Sequence, residues 1–113
     1  MKRLVMSAAL LCSAGVAAAE CGVAGNGANR CVSVTIEEVA VSGANLQVKT
    51  SGDETLLDCV PVQSNKLRML STDDGFEEMF AMLVTAYVQG TVTTVYTSSD
   101  PSTTCMITTV LFE

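Results

Sequence analysis

Histidine and tryptophan are absent from this sequence, aromatic residues make up 4% of it, and lysine and arginine together number only 6. Each shortage excludes something. Without histidine the chain lacks the usual general base near neutral pH, the Ser-His triads and most zinc sites. Six basic residues against 12 acidic ones, a net charge of −6, leave no basic face for phosphate contacts and argue against a nucleic-acid binder. No CxxC spacing suggests a metal-binding cluster. With 113 residues there is room for one small domain and no separate catalytic one.

What is present begins with an address. Lys2 and Arg3 precede an apolar run over residues 4–16, and Ala17-Ala18-Ala19 supplies small residues for cleavage. That order is the one signal peptidase reads, and the run falls short of the ~20 residues of a membrane span. Residues 1–19 are therefore expected to be a signal peptide and residues 20–113 a single exported domain, secreted or periplasmic and not membrane-spanning. A buried N-terminal helix is the weaker alternative. A lipoprotein signal fits poorly, because Cys12 follows Leu11 and Cys21 follows Glu20. Losing Lys2 and Arg3 with the signal would leave four basic residues against twelve acidic ones, a net −8.

Cleavage would also remove Cys12 and leave Cys21, Cys31, Cys59 and Cys105. Four cysteines in a short exported domain read as two disulfides, with three possible pairings. We favour Cys21–Cys31, which closes a short Gly/Asn-rich loop, and Cys59–Cys105, which ties the middle of the domain to its last strand.

Hydrophobic alternation predicts strands over residues 32–41, with a bulge at Glu37-Glu38, then around Leu46 and Val48, over 56–62, 91–97 and 105–112. Residues 21–30 read as a stapled loop and residues 64–71 as an irregular or extended connection. A helix is expected over residues 74–89, capped by Asp74 and ended by Gly90. Its polar wedge is narrow, so it is expected to be buried on more than one side, with Tyr87 in the core. Acids at its start (Asp73, Asp74, Glu77, Glu78) suit the helix dipole better than catalysis or calcium binding, since the alternation of an EF-hand loop is missing. The order of elements, with one helix between the third and fourth strands, is that of a mainly β, five-stranded OB-fold barrel.

The stretch Met79 to Phe112 carries Leu83, Thr85-Ala86-Tyr87, Gly90, Val92, Val95-Tyr96 and Cys105-Met106-Ile107. It resembles the C-terminal half of exported OB-fold B subunits of pentameric bacterial toxins, of the subtilase-cytotoxin and pertussis-like group, and their small stand-alone secreted relatives. The likeness extends over roughly residues 31–113. It implies a disulfide-bonded barrel, a homo-pentamer with helices facing a central pore, a catalytic A subunit as partner and cell-surface glycans as ligands. Thr91 departs from the basic residue common after the helix-ending glycine in such proteins, and no family glycan contact maps onto a position here.

The function expected is recognition without catalysis, with no cofactor and no metal. Candidate ligand-binding residues are Tyr96, Ser98, Ser99 and Asp100, with Asn26 and Asn29, all but Tyr96 placed in loops. Solvation alone accounts for most such loop residues. The other expectation is a ring-forming structural subunit with Met79, Met82 and Ala86 on the assembling helix.

Overall fold

The computed structural model describes residues 18–113; the expected signal peptide lies almost wholly outside the described residues. Seven strands and one helix follow in order: β1 (Glu20–Val23), β2 (Asn29–Val34), β3 (Ile36–Ser42), β4 (Asn45–Thr50), β5 (Leu67–Leu70), α1 (Phe76–Gln89), β6 (Thr93–Thr97) and β7 (Ile107–Phe112). They form a four-stranded sheet in the order β1-β2-β6-β7 and a three-stranded sheet β3-β4-β5, both antiparallel. The protein is thus mainly β with one helix, and neither sheet closes into a barrel.

The two sheets are joined at two places. β2 passes into β3 through Thr35, whose carbonyl accepts from Ser51 N–H at 2.9 Å. Arg68 in β5 forms a parallel bridge with Met106, just before β7, and its backbone N–H donates to the Cys105 carbonyl at 3.0 Å.

Several sequence expectations are corrected. The Gly/Asn-rich stretch at 21–30 is a β-hairpin, because Cys21 and Cys31 face each other directly across β1 and β2. The strand expected at 56–62 is absent. Glu54–Leu56 is a turn of 3-10 helix, and Val60 and Val62 make only isolated bridges. The third strand of the predicted order is instead β5, inside the segment read as an irregular or extended connection. There Leu67 and Met69 point inward while Arg68 and Leu70 point out, a period of two. The bulge anticipated near Glu37-Glu38 is present, between Ile36 and Glu38. A second irregularity, unanticipated, sits in β2 at Ser33, whose φ is 54°. It shifts the phase so that Cys31 and Val34 are both buried and Val32 is not.

The helix begins at Phe76 after Gly75, a left-handed residue with φ 73°, so Asp74 is not its cap. Asp73 serves the turn instead, accepting from Leu70 N–H through its side chain at 2.9 Å. Gly90, φ 68°, ends the helix as expected, its N–H donating to the Ala86 carbonyl. Leu83 and Ala86 are fully buried, and Phe76, Met79, Phe80 and Met82 pack partly against the core. Within one chain the helix is buried along one side only: Tyr87, expected in the core, is 50% exposed, and Val88 is 73% exposed.

Both favoured disulfides are formed, Cys21–Cys31 and Cys59–Cys105. Chain-entropy arguments assign about 3 kcal/mol to a loop of the first length and about 4 kcal/mol to the second.

Candidate functional site

β2 and β6 are paired so that Gly22, Arg30, Tyr96 and Thr109 form one row across the four-stranded sheet. Residues opposite one another project from the same face, and here it is the outer face. The Arg30 guanidinium lies 5.8 Å from the centre of the Tyr96 ring, and its Nη1 donates to the Tyr96 hydroxyl at 3.2 Å. Such stacking fixes a cation while leaving most of its five donors free. Gly22, at the edge of the row, has open space where a side chain would stand. A shallow depression of about 170 Å³ opens there, lined by Glu20, Cys21, Gly22, Val23, Ala24, Arg30 and Val32. Pockets that enclose drug-sized molecules run to ~300–1,000 Å³, so this one has room for no more than an end group of such a molecule.

β6 ends beside the start of β2, Thr97 opposite Asn29, so the chain following Thr97 leaves the sheet at the same end as the β1–β2 turn. Ser98, Ser99 and Asp100 are on this path, and Asn26 is at the turn, its side chain accepting from Ala28 N–H at 3.0 Å. Ser99 donates to Asp58 at 3.4 Å. Asp100 accepts from the backbone and then the hydroxyl of Ser102, which hold its carboxyl below the usual carboxylate range. Ser98 is half-buried and tied inward, donating to the Thr104 carbonyl at 3.3 Å and accepting from Met106 N–H at 3.1 Å.

Asn29 is not a loop residue. It lies in β2, 2% exposed, and its amide is spent on the fold. Nδ2 donates to Thr97 Oγ1 at 3.0 Å and to the Ser98 carbonyl at 2.9 Å, and Oδ1 accepts from Asp58 N–H at 2.9 Å. It positions the loop that carries Ser98 and Ser99. Sequence reading missed Arg30 and Asp58. Nothing local marks either one, since Arg30 meets Tyr96 only through strand register and Asp58 meets Ser99 only through tertiary contacts, its own N–H on Asn29 among them.

The assembling-helix residues are also redistributed. Ala86 faces the core and is fully buried, and Met79 and Met82 lean on it. The exposed apolar residues are Ala81, Tyr87 and Val88, with Val84 half-buried among them.

Elsewhere, Glu54 is 1% exposed and receives Thr50 N–H at 2.7 Å, Thr50 Oγ1 at 2.6 Å and Lys49 Nζ at 3.1 Å. Every buried oxygen of this carboxylate has a partner, which marks it as an anchor for the turn after β4. Among the described residues, no three His, Cys, Asp or Glu side chains are grouped to hold a metal ion, and no helix is long and apolar enough to cross a membrane. No protein-family model matches the chain, and no curated protein matches it.

Proposed function

We propose that this chain is an exported, non-catalytic recognition module of the toxin-B-subunit kind, built on an OB-fold barrel and taking a cell-surface glycan on the outer face of its four-stranded sheet. The barrel reading is supported by strand adjacency. Taken as one bent strand, β2 and β3 neighbour β4 on one side and β6 on the other. β4 neighbours β5, β6 neighbours β7, and the Arg68–Met106 bridge links β5 to the approach of β7 in parallel. That circuit matches the OB order with one additional N-terminal strand, β1. The two disulfides fit an oxidising compartment.

The observation that carries the ligand reading is the Arg30–Tyr96 pair beside the opening at Gly22. An aromatic ring offers a sugar an apolar face, and the guanidinium offers directed donors to its hydroxyls or acids. The hydroxyls of Ser98 and Ser99 and the carboxylate of Asp100 extend the polar rim. A glycan array probed with the disulfide-bonded protein tests it. Binding that falls at least about tenfold in Arg30→Ala and Tyr96→Ala is expected, as for loss of a charge-assisted hydrogen bond or a stacking contact. An array without hits, or hits indifferent to both substitutions, overturns it.

A second reading, a ring-forming subunit, is favoured by one feature: the apolar stripe of Ala81, Val84, Tyr87 and Val88 on the outer side of α1. Light scattering that shows a monomer at high concentration would remove it.

A further inference from the structure

The outer face of the three-stranded sheet carries a second cluster, remote in sequence from the one above. In β4, Asn45 and Gln47 are two residues apart and project to the same side. Register places Ala40 and Arg68 on either side of Gln47, Leu70 beside Asn45, and Met106 beyond Arg68. All are half-buried.

Two atoms in this patch lack partners. Arg68 Nε and Asn45 Oδ1 are buried without a hydrogen bond. Native proteins rarely leave such atoms unsatisfied, because each costs about 1–3 kcal/mol. Arg68 also makes no ion pair among the described residues. Lys49 is held by Glu54 and Glu37, and Lys66 is held by Glu38 at 3.1 Å, which occupies the nearby carboxylate. Arg30 is stacked on Tyr96. Arg68 is therefore the one cation among the described residues with neither a carboxylate nor an aromatic ring against it, in a domain rich in acids.

We infer that this face docks an extended acidic peptide segment of a partner protein, with Arg68 receiving a carboxylate and Asn45 and Gln47 pairing with the peptide's backbone. Charge complementarity selects the carboxylate, since a guanidinium fork matches its two oxygens. The spacing selects an extended chain: side chains at i and i+2 of a strand are about 7 Å apart, the same interval at which an extended peptide repeats its backbone groups on one side. Composition selects a peptide over a sugar, because no aromatic residue lies on this face. Met106 and Leu70 supply instead the adaptable apolar contact typical of protein surfaces.

The experiment is selection from a random heptapeptide library on the immobilised disulfide-bonded protein, followed by affinity measurement with the enriched peptides. Enriched sequences should carry Asp or Glu, and binding should fall at least tenfold in Arg68→Gln and in Gln47→Glu, whose new carboxylate would occupy the guanidinium. Binding in Arg30→Ala should be unchanged, which separates this face from the proposed glycan site. The Arg68→Gln protein should melt no lower than the parent, because the bridge to Cys105 uses backbone atoms and the substitution removes the unpaired Nε. Enrichment of peptides without acids, affinity indifferent to Arg68→Gln, or no enrichment overturns the inference. So does the appearance of Arg68-dependent resonance shifts with N-acetylneuraminic acid but not with any peptide, which would assign the face to an acidic sugar.

Discussion

The two sheets are held by different means. On its inner side the three-stranded sheet presents Leu46, Val48, Leu67 and Met69, all wholly buried and none bonded covalently across strands. The four-stranded sheet buries Val34, Val95, Ile107 and Val110 together with Asn29, Thr93, Thr94, Thr97 and the Cys21–Cys31 pair, and Cys59 of the second disulfide lies against Asn29 and Thr97. Its interior is mixed, with buried threonines, an asparagine and the disulfides adding hydrogen bonds and covalent bonds to the apolar contacts. The lesson is that a small domain with one shared core can reinforce it unevenly, one sheet by apolar burial alone and the other by cross-links and buried hydrogen bonds as well.

The largest test of that contrast is removal of Cys59–Cys105. The double variant Cys59→Ser, Cys105→Ser should lose about 4 kcal/mol in urea unfolding, on the loop-entropy estimate. Hydrogen exchange should show β6 and β7 losing protection before β4 and β5 do. Equal loss in both sheets would show that they unfold as one unit. Next comes Leu46→Ala, expected to cost about 3 kcal/mol as a buried leucine truncated to leave a cavity. That cost should be the same with and without reductant; a strong dependence would mean the apolar half leans on the disulfides. The smallest effect is expected for Asn29→Ala, about 2 kcal/mol, because Asp58 N–H and the Thr97 hydroxyl lose a buried partner. Thermal melts should register it, and the Ser98–Ser99 loop should gain exchange while β4 is unaffected.

Much of this architecture was legible in the amino-acid order. The cysteine pairing followed from loop lengths, the helix end from Gly90, and the β3 bulge from the break in alternation at Glu37-Glu38. What escaped had physical reasons. Leu56 and Leu57 suggested a strand, but Leu56 is largely exposed and Glu54 is buried along with Leu57, because Thr50 and Lys49 give its carboxylate partners that no hydropathy pattern records. The true strand at Leu67–Leu70 is only four residues long, so its alternation of Leu67 and Met69 with Arg68 was brief enough to pass for a connection. Glycine and asparagine masked the N-terminal hairpin, whose pairing is fixed by a disulfide rather than by β-propensity. The helix misled in the opposite direction: its all-round apolar character pointed to burial that a single domain of this size does not provide. Of the candidate site, Tyr96 and the 98–100 loop could be named in advance. Arg30 and Arg68 could not, since their surroundings exist only after strands distant in sequence are in register.

Gly52 sits where a methyl group would come within 2.7 Å of Cys21 Sγ. The turn after β4 is thus pressed against the hairpin cross-link, and the Lys49–Glu54 pair holds it there. Thiol–disulfide exchange requires an attacking thiolate to reach a sulfur atom. For a reductant to reach Cys21 Sγ from that side, a loop belonging to the other sheet has to open first.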